Sequence, residues 1–466
     1  MRIGKWLVTV LCCWSASIWA AQGDVRMPAY QRVVLGNGAT LLLMERHDVP
    51  LIAFQAVLRG GALADAPDKA GATNLLAQLL LKGAGQRDAL QFADAVASVG
   101  GSFDASAGIE SLMLNGQFMA RDQGLMIELL ADVLQRPHLQ QSQFDNLRQR
   151  QIEFLRAAKD GNVGALTPVY AAAALFGAHP YGRPVSGSEQ TLMQLQYGDV
   201  QKLYREQLGA DRLILAVAGD FNSRDMLAAL RRALGKWPKA RAALPAAPAV
   251  STGKPRVVLI DAPDSVQTYF WIGNVGPARN DARRVPLQLA NTLFGGRFTS
   301  MLNTELRIKS GLTYGARSQQ RQLLRGGSWN MYSFTQTETT VQAIDLALQT
   351  YQRLRTEGIS DADLVSGRNY MLGQYPTGYE TAAQWAATLA ELEFYGLPRD
   401  EVDAFAERLR SVTIQQAGAV ISTTLPAENT LLLVLIGNAA AIREQVARYG
   451  PVTELPLSAP GFTVPP

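Results

Sequence analysis

Metal and acid–base chemistry would have to start from the three histidines, His47, His138 and His179. A zinc helix needs two imidazoles one turn apart, so that both reach a single ion. No two of the three lie within a turn, and a helix with paired histidines is excluded. The only cysteines, Cys12 and Cys13, fall inside an N-terminal stretch that reads as an export signal. The processed chain then has no thiolate for a metal, a disulfide or a nucleophile. Serine chemistry fares no better, since no Gly-x-Ser-x-Gly elbow comes with a matched histidine. Gly295-Gly296-Arg297-Phe298 lacks the Gly-Lys-Ser/Thr ending of a phosphate loop and reads as a tight loop between helices. His179, in His-Pro-Tyr-Gly, reads as a loop-packing residue, and Trp271 and Trp329 as core or domain-face aromatics.

The elements that could position a site are legible in outline. The chain has 466 residues, 47% of them apolar, enough to build substantial cores. Its 44 basic and 40 acidic residues leave a formal charge of +4, too thin a surplus to argue for nucleic acid. Residues 1–21 carry Arg2 and Lys5, then an uncharged run to Ala20-Ala21, as a cleavable secretory signal does. Beyond it no apolar stretch is long enough to span a membrane. These features predict an exported, periplasmic protein.

An Ala/Pro-rich stretch at 238–254 reads as an extended linker between halves at 28–237 and 255–445, with a proline-rich, irregular tail at 446–466. The halves read alike. Each opens on a strand, Arg32–Leu35 or Arg256–Ile260, and each closes on an apolar run stopped by glycine, at Leu213–Gly219 and Leu431–Gly437. Helices are expected at 72–81, 141–159, 341–357 and 380–394. The pattern predicts an α+β fold: two homologous α+β units, each a mostly antiparallel sheet with helices packed on one face, forming a clamshell.

The run Gly71 to Gly83 resembles the zinc helix of pitrilysin/insulinase-type metallopeptidases, which include the mitochondrial processing peptidases. Gly100-Gly101-Ser102-Phe103-Asp104-Ala105, His179-Pro180-Tyr181-Gly182 and Ala218-Gly219-Asp220 resemble further segments of that family. So do Gly295-Gly296-Arg297-Phe298, Leu306-Arg307 and Gly311-Leu312-Thr313-Tyr314, in order and spacing. The departures carry the functional reading. Where the family has its two histidines this chain has Asn74 and Gln78, and where it has the catalytic glutamate it has Ala77. The distal carboxylate ligand falls near 153–155, where Glu153 is present but a gap-free match selects Leu155. Neutral amides are poor zinc ligands and alanine takes no proton from water.

The resemblance implies that Arg307 and Tyr314 bind substrate and stabilise an oxyanion, and that Gly101, Ser102, Phe103, Asp104 and Ala105 form an edge strand that pairs with extended peptide. It further implies a non-zinc subunit with no cofactor of its own, working beside a zinc-bearing homologous peptidase subunit. The alternative is a catalytically inactive peptidase-fold protein that binds peptides or serves as a scaffold. On either reading, elemental analysis of the purified chain should find no stoichiometric zinc, and a chelator should leave its melting midpoint unchanged. About one tightly held zinc per chain would overturn both.

Overall fold

In the computed structural model residues 24–252 and 254–465 are described; the stretch 1–21 expected to be an export signal, with Cys12 and Cys13, lies outside them. Asn37-Gly38 makes the turn its sequence predicts, with Gly38 at φ 96°, and joins β1 (Gln31–Val34) to β2 (Thr40–Glu45). β3 (Leu51–Arg59) follows, then a two-residue hairpin of β4 (Gly83–Ala84) and β5 (Arg87–Asp88). β6 (Ser102–Ala107), β7 (Ser111–Met119) and β8 (Leu213–Gly219) complete a six-stranded sheet of order β1-β2-β8-β3-β7-β6. All its pairings are antiparallel except β2 with β8.

The second sheet repeats the plan. β9 (Val257–Asp261), β10 (Gln267–Gly276), β11 (Arg317–Leu323), β12 (Gly326–Gln336), β13 (Leu432–Gly437) and β14 (Val452–Pro456) run in the order β11-β12-β10-β13-β9-β14. Position for position, β6-β7-β3-β8-β2 corresponds to β11-β12-β10-β13-β9, parallel pair included. The outermost strand differs. In the first sheet it is β1, in the second it is β14 from the C-terminus. The expectation of an irregular tail at 446–466 is therefore corrected. Without β14 the outer edge of β9 would expose unpaired backbone groups, and a sheet edge tolerates the prolines at 451 and 456. Leu457, Phe462 and Val464 then pack into the core.

Strand residues alternate between two buried faces. Leu41, Leu43, Phe54, Leu58, Leu215 and Val217 face helices of their own half, among them Ala72–Leu80 and Gln141–Gly161. Their neighbours Leu42, Met44, Ala53, Val57, Ile214 and Ala216 point the other way, and there the helix Ala382–Tyr395 of the second half covers them with Trp385, Ala386 and Leu389. The loan is returned: helix Thr167–Phe176 of the first half lays Tyr170, Ala171 and Ala174 on Val258, Ile260, Trp271, Val434 and Ile436 of the second sheet. Beside that contact the backbone at Gly164 lies against Tyr269, where a Cβ would come within 2.4 Å of the ring.

A polar latch joins the halves as well. Glu110 is buried at 4% exposure and accepts hydrogen bonds from the Tyr181 hydroxyl and, at 3.1 Å, from the Leu324 amide in the β11–β12 turn. The Tyr181 oxygen accepts in turn from the Arg325 amide at 3.2 Å. Burial pushes the Glu110 carboxyl above the usual carboxylate range, against the pull of these donors. His179 Nδ1 accepts from the Tyr181 amide at 3.0 Å, which leaves Nε2 to donate to Pro248 O at 3.1 Å and tie down the stretch between the halves. Ala240 and Ala242 are fastened nearby, to the Asp211 carboxylate and the Glu206 carbonyl.

Two stability outcomes follow. Trp385→Ala should cost about 3–5 kcal/mol, because it empties the seat that closes the first sheet's second face. Tyr181→Phe should cost about 1–3 kcal/mol by leaving the Arg325 amide and part of the Glu110 carboxylate without partners. Denaturant midpoints measure both; a change under about 0.5 kcal/mol in either would contradict the assigned contact.

Candidate functional site

The helix Ala72–Leu80 begins after Gly71, whose φ of 100° suits glycine. Its N-terminal amides, which have no partner within the helix, are met by a buried carboxylate rather than by a neighbouring cap residue. Asp65 accepts from the Gly71 and Thr73 amides, each at 3.0 Å, and from the Thr73 hydroxyl at 2.6 Å. Burial raises the Asp65 carboxyl to about 7 while these bonds and Arg183 pull it down. The helix start is thus firmly held. Asn74 and Gln78, one turn apart, share a half-buried face, and Ala77 between them is fully buried. The Gln78 amide reaches back to Asn74 O at 3.5 Å. On the neighbouring helix Glu153 points outward and accepts from Gln149 at 2.9 Å, whereas Leu155 sits in the core. These residues do not fit a zinc ion. Two amides and an alanine supply neither the imidazoles nor the base, and the carboxylate that could join them is turned to solvent. Among the described residues no group of three His, Cys, Asp or Glu side chains converges elsewhere.

β6 forms the outer edge of the first sheet and packs against this helix. Phe103 is its inward anchor, 5.1 Å from Phe54 and 5.5 Å from Phe92, while Ser102 and Asp104 face out and Ala105 is half-buried. Gly101 precedes the strand rather than joining it. A Cβ there would meet the Phe118 ring at 2.8 Å. The backbone groups on the far side of β6 face no other strand of the sheet.

Arg307 and Tyr314 lie in the second half, and the fold brings them together. Arg307 stands in a π-helical turn, Thr304–Lys309, and a second such turn, Thr292–Gly296, carries the glycine pair. The glycine pair is therefore helical rather than the tight loop its composition predicts. Gly295 presses on β11 so closely that a Cβ would meet the Ser318 amide at 2.3 Å, and the wider turn accommodates that approach. Tyr314 sits on the loop after Gly311, whose backbone is pinned from several sides. Ser333 donates to Gly315 O at 3.0 Å, Thr335 donates to Leu312 O at 2.7 Å, and the Ala316 amide donates to Asn303 at 3.1 Å. The fixed loop presents a ring that is 77% exposed. The Arg307 guanidinium lies 4.4 Å from the centre of that ring and 4.9 Å from Phe298.

The pair lines a cavity of about 590 Å³ whose walls all come from residues 295–370, so Asn74, Ala77, Gln78 and β6 stand outside it. The sequence reading missed most of these walls. Arg297, Arg317, Tyr332 and Tyr370 line the cavity with Phe298, and nothing in local spacing marks them. The one local clue is Arg297-Phe298 beside the glycine pair, a segment whose composition points to a structural loop.

Comparison with known proteins places this geometry. Residues 47–189 match the description "Insulinase (Peptidase family M16)", and residues 194–371 match "Peptidase M16 inactive domain". An uncharacterized zinc protease of Mycobacterium tuberculosis is 27% identical over 75% of this chain and 80% of its own length. A non-peptidase homolog of Helicobacter pylori is 20% identical over 84% of this chain and 90% of its own. Among solved structures, a peptidase M16 inactive domain from Pseudomonas fluorescens superposes with a TM-score of 0.82 at 20% identity, covering 88% of this chain and 98% of that one. The periplasmic protease PqqL from Escherichia coli superposes with a TM-score of 0.74 at 14% identity, covering 88% of this chain and 46% of that one. With the two-sheet α+β clamshell and an amide-bearing helix where zinc would be gripped, the chain belongs to the insulinase family of peptidases, family M16, as a member without the zinc-binding residues.

Proposed function

We propose that this chain is the non-zinc subunit of a heterodimeric periplasmic metalloendopeptidase. It lends Arg307 and Tyr314 to a zinc-bearing homologous subunit that cleaves extended peptides. The observation that carries this reading is an asymmetry inside one molecule. The helix that would hold metal has lost every donor it needs, while the Arg307–Tyr314 pair keeps a 4.4 Å stacked geometry on a pinned loop. Such a pair has no use at its own amide-bearing helix, which lies outside its cavity. Facing a partner's site it has one. A fixed phenol and a guanidinium offer hydrogen bonds to charge that develops on an attacked carbonyl oxygen. The periplasmic setting is supported by the signal-like residues 1–21 and by the periplasmic neighbour among the solved structures.

A second reading, an inactive peptide-binding or scaffold protein, is favoured by β6 and by a relative named as a non-peptidase homolog. The strand's open edge could add an extended peptide by main-chain hydrogen bonds without any cleavage.

The two readings part on one experiment. Co-expression with a homologous chain that carries an intact His-x-x-Glu-His should give a one-to-one complex by size measurement and peptidase activity that neither chain has alone. In that complex Arg307→Ala should lower kcat by about 10²-fold or more, and Tyr314→Phe by about tenfold or more. Full turnover in both variants would refute the assigned role. A peptide-binding chain that never gains activity with any such partner would establish the scaffold reading instead.

A further inference from the structure

The cavity around Arg307 and Tyr314 has a charge character that the pair alone does not explain. Three guanidinium groups line it, those of Arg297, Arg307 and Arg317, and no Asp or Glu does. Each stands over an aromatic ring. Arg307 lies over Tyr314 and Phe298, Arg317 lies 5.0 Å from the Tyr332 centre, and Arg297 lies 5.8 Å from that of Tyr370. Arg297 donates once, from Nη1 to the Ser366 hydroxyl at 2.9 Å, and its Nε is buried with no hydrogen-bond partner. Several other arginines of this half hold an acid: Arg283 holds Asp281, Arg284 holds Glu401, Arg353 holds Glu305 and Arg443 holds Glu454. The acid nearest in sequence to Arg307, Glu305, is engaged by Lys309 at 3.0 Å and Arg353 at 2.9 Å. Ring faces hold the three cations in place without cancelling their charge.

We infer that this cavity selects a carboxylate: the peptide held by this chain presents an acidic side chain or its free C-terminus to Arg297 and Arg317, beside the Arg307–Tyr314 pair. The inference rests on the peptide-binding part of the function proposed above and adds the chemical class of the peptide. Planar guanidinium groups match a carboxylate in two-pronged fashion, and Arg317, which is exposed at the cavity wall, is free to present its fork to one. The aromatic walls, with Phe298 61% exposed, would cover the flanking apolar part of the peptide.

Fluorescence anisotropy on the purified chain, with no partner present, tests this using three labelled octapeptides of one extended sequence, the amidated Gln peptide serving as the neutral member of both pairs. One pair carries Glu or its isostere Gln at the central position, both with an amidated end. The other pair carries the central Gln with a free or an amidated C-terminus. At low salt the Glu peptide or the free-end peptide should bind at least about tenfold more tightly than its neutral counterpart, and whichever does identifies the carboxylate's source. The preference should vanish in the Arg297→Gln/Arg317→Gln double variant and persist in Arg121→Gln, a surface charge of the other half. Should the double variant not fold, the salt dependence of the unaltered chain decides, since the preference must shrink several-fold in 0.5 M NaCl. Equal binding of acid and neutral peptides, or a preference indifferent to both the double variant and salt, overturns the inference and leaves peptide binding standing. Failure of every peptide to bind the folded chain overturns both.

Discussion

Everything in this molecule depends on the need to cover sheets that are apolar on both faces. A strand such as β8, with every residue buried, cannot leave either side to water. Each half supplies helices for one face of its own sheet and takes the cover for the other from its partner half. The exchanged helices, Thr167–Phe176 and Ala382–Tyr395, bind the halves more firmly than a hinge between separate domains would. The Glu110–Tyr181 latch adds a directional element to that apolar attachment. Relative movement of the halves would have to break buried contacts of both kinds.

Within that rigid frame, the first half retains the scaffold of a zinc site without its chemistry. Asp65 still fixes the start of the helix, and the edge strand still lies beside it. Only the donors have changed, to amides and an alanine that satisfy themselves or the core. These residues suit their places in the fold, since Asn74 and Gln78 are half-buried polar side chains and Ala77 is small enough for its buried position. The loss of metal chemistry therefore leaves the architecture intact, and a chain of this kind can keep a binding role.

The second half shows the opposite balance. Its loop at 311–316 is immobilised by hydroxyls from β12 and by Asn303, so the exposed Tyr314 ring is presented rather than free to collapse. Two π-helical turns in succession widen the backbone where Arg297 and Arg307 enter the same cavity. Irregular helix of this kind is costly in a purely structural role, and here it sets guanidinium groups over rings at 4.4–5.8 Å.

The linear sequence was sufficient for whatever depends on donor chemistry and local period. Three scattered histidines and the residues at 74, 77 and 78 already leave the family's zinc positions without imidazole or base, before any fold is known. Strand runs, turn glycines and helix periods mark a duplicated α+β chain because those signals are short-range. What lies far apart in the chain could only be decided by packing. Nothing in Ala382–Tyr395 says that it will cover the other half's sheet, since one apolar face fits any apolar partner of the right shape. Nothing in the tail says that β14 will take the place held by β1 in the first sheet, since an edge strand is recruited by unpaired backbone groups and not by side chains. The gathering of Arg297, Arg307 and Arg317 around one acid-free cavity is of the same kind: three charges ten residues apart look like ordinary surface until the β11 edge and the π-turns fold them toward one another.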